Sequence, residues 1–309
     1  MILNIRALLT VAGLLGVVGT VGCATTAESP GAKPGQRLDV VATTMHVQDL
    51  ARQVGGDRVR LTGLLGPDDE PHAYEPVPSD ADAVSRAAVV VANGANLDGW
   101  LDDLLEQAGT GAARIDAVRG LALLPTEEEG FPGDPHVWHD PELAKRMVDN
   151  VAAGLAEADP QGRPTYRRNA EGYKARLDRM AAAIREGFGS VAPARRRLVT
   201  SHDAFGYFAR AYDVEVVGSV LPAVTTEAEP SAQQIRRLVE AIRRVDVRTV
   251  FTERAVDPRL ERRVAAEAGA RVSTSLYADT LGPPGSGADT LVGAQLANAR
   301  AMRSAWGRP

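Results

Sequence analysis

The sequence predicts an α/β fold of two lobes with mostly parallel sheets, joined by one long, rigid helix. Two observations predict this fold. From residue 38 onward, short runs rich in β-branched residues alternate with helical patterns, as in βαβ units. The runs form two groups, and the gap between the groups carries an apolar stripe of helical period.

The predicted strands are short and apolar. They cover residues 38–44, 58–65 and 87–93 in the first group, and 198–201, 214–220, 247–253 and 270–276 in the second. Two of the intervening helices begin near an acid, a proline and a serine. Ser79 with Asp82, and Ser231 with Gln234, fit the N-cap and third-position partners of a capping box.

The predicted linking helix covers residues 161–189. Its apolar stripe runs through Tyr166, Ala170, Tyr173, Leu177, Met180, Ile184 and Phe188. This spacing is typical of one amphipathic helix, and at about 1.5 Å per residue the helix would be about 40 Å long. A coiled-coil seam would show the same stripe, but the α/β group on each side favours a strut between two lobes.

The N-terminus carries the pattern of an export signal. Arg6 is followed by an uncharged apolar run that ends before Cys23, which is right for a signal peptide and short for a membrane span. Cys23, the only cysteine, resembles the lipidated residue of a bacterial lipobox, although Thr20 stands where leucine is usual. The alternative is an incidental small residue near an ordinary cleavage site.

These patterns divide the chain into five segments. We expect a signal peptide at 1–22, a lipidated flexible tether at 23–37, an N-terminal lobe at 38–160, the linking helix at 161–190 and a C-terminal lobe at 191–309. The protein would then be exported and held at the outer face of the cytoplasmic membrane by its lipid.

Composition excludes several classes of protein. The 309 residues carry a net charge of −5, and 44% are hydrophobic, which is ordinary for a globular chain. Nucleic-acid binders usually show a basic excess, whereas the arginines here are interleaved with acids along helical stretches. A single cysteine leaves no disulfide or thiolate metal site within the chain.

Three histidines follow predicted strands or the loops after them: His72, His136 and His202. Because ligands of parallel α/β sheets bind at the carboxyl ends of the strands, histidines from both lobes can face one cleft. Three imidazoles on a divalent ion are commonly completed by a carboxylate, and Asp279 follows the last strand. Spacing alone leaves this four-residue site open, since single histidines at strand ends are usually caps or surface residues.

The stretch GDPHVWHDP at 133–141 raises a further question, because His139 lies three residues after His136. Pro135 and Pro141 argue against a helix that would put both rings on one face. The spacing does not decide whether both histidines bind.

Five motifs together resemble the zinc and manganese substrate-binding lipoproteins of ABC transporters, over residues 38–309. They are PHAYEPVPSD at 71–80, DPHVWHDP at 134–141, SHDAFGYFARAY at 201–212, TEAEPSAQQI at 226–235 and LYADTLG at 276–282. The resemblance implies two (β/α) lobes on a long helix, with a metal site in the cleft between the lobes. It implies the following metal ligands: His72, His136, His202 and Asp279.

The same resemblance implies that His139 is a bystander near the rim of the cleft and that His46 is not a ligand. Asp203 and Glu253 stand at strand ends and are candidates, by position, for the acceptors that orient the ligand rings. The loop at 123–135 departs from the family's zinc importers, because it has three glutamates and lacks a histidine-rich run. A metal-gathering role for this loop therefore does not follow.

A histidine at the third ligand position goes mostly with zinc in this family, and a glutamate there with manganese. Three nitrogens and one oxygen also suit zinc, which such sites hold more tightly than manganese. We therefore expect zinc as the bound ion, with manganese as the alternative.

The implied function is capture of the ion outside the cytoplasm and its delivery to an ABC permease with a cytoplasmic ATPase, by a monomer. Four protein ligands leave no position for an activated water, so an enzyme is not expected. An exported zinc hydrolase, a binding protein for an iron chelate or corrinoid, and an adhesive role are the rival interpretations.

Overall fold

The computed structural model describes residues 37–273 and 275–307, so the predicted signal peptide and Cys23 lie outside the described residues. The strands are β1 Leu38–Ala42, β2 Val59–Gly63, β3 Val89–Ala92, β4 Ala113–Asp116, β5 Arg197–Thr200, β6 Glu215–Ser219, β7 Thr249–Val250 and β8 Arg271–Val272. The α-helices are α1 Met45–Gly55, α2 Pro78–Arg86, α3 Leu101–Ala108, α4 Pro141–Ala158, α5 Arg163–Gly189, α6 Gly206–Tyr212, α7 Ala232–Arg244, α8 Arg259–Ala268 and α9 Leu291–Trp306. Within the described ranges, none of the helices has the length and apolar character to span a bilayer.

The first sheet has four parallel strands in the order β2-β1-β3-β4. The central strands β1 and β3 read as almost continuous apolar runs, because helices cover both faces of a parallel sheet. Strand β4 is not predicted from the sequence. This edge strand is short, and only Ile115 of its four side chains is buried, so it lacks the apolar run that marks the others.

The second group of strands is also parallel. β5 pairs with β6 and β7 pairs with β8, and the Phe251 amide donates to the Val199 carbonyl at 2.8 Å. β7 and β8 have two residues each, shorter than predicted. Beyond them the two segments stay in contact through a parallel bridge between Glu253 and Leu276, where the Leu276 amide donates to the Thr252 carbonyl at 2.7 Å.

Helix α5 confirms the predicted long helix, and all seven residues of its stripe are buried. It packs against α1, α4 and α9. The hydroxyl of Tyr173 donates to Asp49 in α1 at 2.7 Å, and the amide of Leu291 at the start of α9 donates to the same carboxylate oxygen at 3.0 Å. The largest hydrophobic core runs without interruption from β1 through α5 to α9.

One predicted capping box is confirmed and one is wrong. Gln234 and Ser231 exchange hydrogen bonds at the start of α7. The helix assigned to Ser79 and Asp82 begins earlier, after Val77, because a proline is favoured at the first helical position. There the Val77 amide donates to Asp80 at 2.8 Å.

Candidate metal centre

Four side chains from separate loops meet in one buried cluster: His72, His136, His202 and Asp279. Each offers one donor atom, and these atoms all lie within 4.8 Å of one another. The two oxygens of Asp279 lie 3.2 Å from His136 Nε2 and 3.1 Å from His202 Nε2. His72 Nε2 is 3.7 Å from Asp279 Oδ2. The four residues that the sequence pointed to are thus brought together, by loops of both strand groups.

The four loops lie at the carboxyl ends of strands. His72 lies between β2 and α2, and His136 lies between β4 and α4 at the start of a single 3₁₀ turn. His202 comes two residues after β5, and Asp279 lies between β8 and α9. The sites of parallel α/β sheets form at this edge.

Carboxylates contact the Nδ1 atoms of two of the three rings, on the side away from the cluster. Asp134 Oδ1 lies 2.7 Å from His136 Nδ1 and accepts the His136 amide at 2.9 Å. Glu253 Oε2 lies 2.5 Å from His202 Nδ1, and its other oxygen accepts the amides of Ser201 and His202. Each Nδ1 is occupied in this way, so each Nε2 is directed into the cluster.

Of these two acids, Glu253 is predicted from the sequence and Asp134 is not. The available signal was the DPH run, in which an aspartate accepts from the backbone amide two residues later and forms a local turn. Asp203 is placed differently. Its side chain is exposed, and it hydrogen-bonds none of the three histidine rings of the cluster in the described part of the chain.

His72 differs from the other two histidines, because neither of its ring nitrogens has a hydrogen-bond partner within residues 37–273 and 275–307. Burial lowers the pKa of its ring to about 3, against an opposing effect of Asp279. The His72 ring is therefore neutral, the form that binds a cation.

The remaining groups of the cluster form charged partners. Burial lowers the pKa of His136, but Asp279 and Asp134 outweigh burial and raise it to about 9. Burial likewise opposes the charge of His202, and Glu253 and Asp279 raise the pKa of its ring well above the ordinary value. Burial raises the pKa of Asp279, but His202 and His136 hold it well below the ordinary value. Without a cation, two protonated rings therefore lie beside the ionised carboxylate of Asp279.

His139 is not near the rim of the cleft, contrary to the prediction; it is 1% exposed. The 3₁₀ turn directs its ring away from the cluster and against Phe205, with a ring-centre distance of 4.6 Å. Gln295 Nε2 on α9 lies 2.7 Å from its Nδ1. His46 is also buried and stacks on Trp138 at 4.2 Å. Neither residue belongs to the cluster of four donors.

Comparison with known proteins gives consistent matches along the chain. The family profile described as "Zinc-uptake complex component A periplasmic" matches residues 40–305. The manganese-binding lipoprotein MntA of Bacillus subtilis (strain 168) is 32% identical over 293 residues, covering 92% of this chain and 94% of that protein. The iron-binding protein YfeA of Yersinia pestis is 30% identical over 281 residues, covering 90% and 88%.

A solved structure shows the same fold. The periplasmic zinc-binding protein TroA of Treponema pallidum superposes with a TM-score of 0.81 and 26% sequence identity. The match covers 88% of this chain and 100% of that one.

Proposed function

The chain belongs to the family of zinc-uptake complex component A proteins, and on that premise we propose that it captures a divalent transition metal outside the cytoplasm. It then passes the ion to the permease of an ABC transporter, which a cytoplasmic ATPase drives. Two further relatives, from Streptococcus anginosus and Streptococcus mutans, are named as substrate-binding lipoproteins of ABC transporters, for manganese and for metal respectively.

The single observation that carries this proposal is the buried cluster of four donor atoms. Three imidazole nitrogens and one carboxylate oxygen within 4.8 Å of one another match the number and chemistry of ligands around a tetrahedral ion. We propose the following ligands: His72, His136, His202 and Asp279. Asp134 and Glu253 fix the orientation of two of the rings, as second carboxylates do in many metal sites.

Zinc is the ion we propose. A site of three nitrogens and one oxygen suits zinc, and the ordering of divalent-ion affinities places zinc above manganese for any such site. Manganese is the alternative, because the relatives named above include manganese-binding and iron-binding proteins.

The same geometry argues against the rival functions. Four protein donors fill a tetrahedral ion and leave no position for an activated water, so we propose a carrier and no catalytic role. The donor atoms also lie too close together to admit a chelate or a corrinoid, and they fit a bare ion.

For the chain outside the cluster, we propose the arrangement that the sequence predicts. A signal peptide at 1–22 directs export, and a lipid on Cys23 with a tether to residue 37 holds the protein at the outer face of the membrane. A monomer then presents two lobes, 38–160 and 191–309, on the linking helix at 161–190.

The test is a competitive titration of the purified full-length chain with zinc and manganese, beside His202→Ala and His139→Ala. We expect one tight zinc per wild-type chain, bound more tightly than manganese. Loss of His202 removes a ligand and should abolish tight binding, whereas His139→Ala should keep the stoichiometry at one. Because both histidines are fully buried, His139→Ala controls for the general effect of removing a buried imidazole.

Two outcomes would contradict the proposal. If the wild-type chain binds no metal tightly, the proposed transport function is wrong. Equal damage from both substitutions would mean that the cluster of four donors is not the binding site.

A further inference from the structure

His72 lies on a loop, residues 64–77, that is held differently from the other ligand loops. The rings of the two other histidines each hydrogen-bond a carboxylate, whereas the His72 ring has no such partner among the described residues. The position of His72 therefore depends on how its loop is held. We call residues 64–77 the His72 loop.

The two ends of the His72 loop are fixed within the N-terminal half of the chain. At its start, the amides of Leu64 and Leu65 donate to carbonyls at the end of β1 and just beyond it. Near its end, Trp100 Nε1 donates to the Pro71 carbonyl at 3.2 Å, and the Tyr74 hydroxyl donates to Asp80 at 2.8 Å. The middle of the loop, at Pro67 and Asp68, contacts the other half of the chain.

Arg254 holds that middle part from the other side of the cleft. Its Nε donates to the Pro67 carbonyl at 3.0 Å, and its Nη2 donates to Asp68 Oδ1 at 2.6 Å. The backbone of Arg254 is itself fixed, because its amide donates to the Leu276 carbonyl at 2.9 Å. Arg254 also directly follows Glu253, the acid behind His202. We call these two contacts the Arg254 clasp.

We propose that Arg254 is a positioning residue for metal release, an inference that rests on the metal-binding function proposed above. The Arg254 clasp keeps the His72 loop closed over the ion. When the clasp opens, the His72 loop is held only by its contacts within the N-terminal half of the chain, and His72 leaves the ion first, because none of those contacts holds its ring. Asp134 and Glu253 keep the other two imidazoles in place, so the site stays ready for the next ion.

A cleft beside His72 gives the ion a route. The cleft has a volume of about 360 Å³, and its walls include His72, Phe131 and, from the other half of the chain, Thr225 and Glu227. The ring centre of Phe131 lies 6.2 Å from that of His72, so Phe131 lies beside this histidine in the wall of the cleft. Displacement of His72 opens the coordination shell on this side.

The side chains of the clasp are accessible to a docking partner. The side chain of Asp68 is 81% exposed and that of Arg254 is 32% exposed. Exposed ion pairs contribute little stability, so a partner that offers a competing charge can replace this one. The clasp thereby links contact at the protein surface to release of the buried ion.

The test measures zinc dissociation. The zinc-loaded full-length chain is mixed rapidly with excess chelator, and free zinc is followed in time. Arg254→Ala removes both contacts and should release zinc about fivefold faster, the effect of an interaction of about 1 kcal/mol. Asp68→Ala removes one contact and should give a smaller acceleration. The double variant should release zinc no faster than Arg254→Ala alone.

Arg259→Ala is the matched control. Arg259 belongs to the same half of the chain and pairs with Asp257, but this ion pair does not cross the cleft. It should release zinc at the wild-type rate. The thermal midpoints of the metal-free Arg254→Ala and Arg259→Ala chains should agree, which separates a positioning effect from a loss of stability.

The proposed role of the clasp would be overturned if Arg254→Ala released zinc at the same rate as Arg259→Ala. It would also be overturned if the effects of the two clasp substitutions were additive. If those variants and the wild type still bind one zinc tightly, the proposed function survives that result. A wild-type chain that binds no zinc tightly would remove the proposed function and the clasp with it.

Discussion

The three imidazoles of the cluster differ in whether a carboxylate lies at Nδ1. His136 and His202 each have a carboxylate at Nδ1, at 2.7 and 2.5 Å, and both have a raised pKa. The pKa of His72, which has no such partner, is lowered by burial to about 3. The cluster thus contains two rings at which a proton competes with a cation for the nitrogen, and one ring at which it does not.

This difference predicts that zinc binding at pH 7 releases about two protons, from His136 and His202. A raised pKa keeps a ring protonated through the neutral range, so zinc affinity should rise with pH up to about 9 and fall as the pH drops. Calorimetric titration in two buffers of different ionisation enthalpy, at pH 7 and pH 9.5, measures the proton count.

Asp134→Asn provides the control for this measurement. It removes one of the two carboxylates that raise the pKa of His136, so fewer protons should be released at pH 7. A count that is the same at both pH values would contradict the prediction.

At the scale of the element, α5 does more than connect two groups of strands. Its buried stripe contributes directly to the continuous core, and Tyr173 shares the buried carboxylate of Asp49 with the start of α9. A helix that is packed along its length in this way resists bending. We infer that α5 moves as one body with the helices that it contacts.

Leu177→Ala should therefore destabilise the whole protein. Leu177 is fully buried near the middle of α5, and the substitution leaves a cavity that typically costs about 2–5 kcal/mol. Urea unfolding of the metal-free chain measures the loss. The exposed Arg179 on the same helix is the control, since Arg179→Ala should stay within about 0.5 kcal/mol of wild type. A loss below about 1 kcal/mol for Leu177→Ala would show that α5 is not part of the core.

The features that the sequence predicts well are those that produce long periodic patterns of apolar residues. The α5 stripe gives the helix and its buried face, and the β-branched runs give seven of the strands. Strand β4 and the start of α2 are not predicted. β4 has one buried side chain, and a proline shifts the start of α2, and neither feature leaves a periodic signal.

The candidate site is predicted unevenly for a related reason. The four donor residues follow from strand-end positions and from motifs, and the structure brings them together. Whether His139 points into the cleft or into the core depends on one 3₁₀ turn, which the spacing of residues does not reveal. Arg254 meets Pro67 and Asp68 across 187 and 186 positions of sequence, a distance at which no local pattern exists.

At the scale of the whole molecule, the continuous core limits how far the two groups of strands can separate. The four clustered donors nevertheless come from both groups, so an ion bound there would act on the loops between the groups rather than on the core. We infer that loading and release involve loop movement around a rigid frame.

This inference predicts a local response in hydrogen exchange. Zinc should slow exchange in the His72 loop and around His202 and Asp279, and it should leave α5 unchanged, because α5 contributes no donor to the cluster and lies in the continuous core. Mass spectrometry of the metal-free and zinc-loaded chains measures this. Equal exchange around His202 and Asp279 in both states, or a change along α5, would contradict it.

Trp138 adds an optical consequence. Its indole is fully buried between the two groups of strands, stacks on His46 and donates to the carbonyl of Ala278, the residue before Asp279, at 3.2 Å. Its ring centre lies 5.4 Å from that of His136. A protonated imidazole quenches the emission of a nearby indole by accepting an electron, and replacement of that proton by a closed-shell ion such as zinc ends the quenching. The protein therefore carries its own fluorophore beside the cluster, and we expect its emission to rise when an ion occupies the four donors, which would report the occupancy without any added dye.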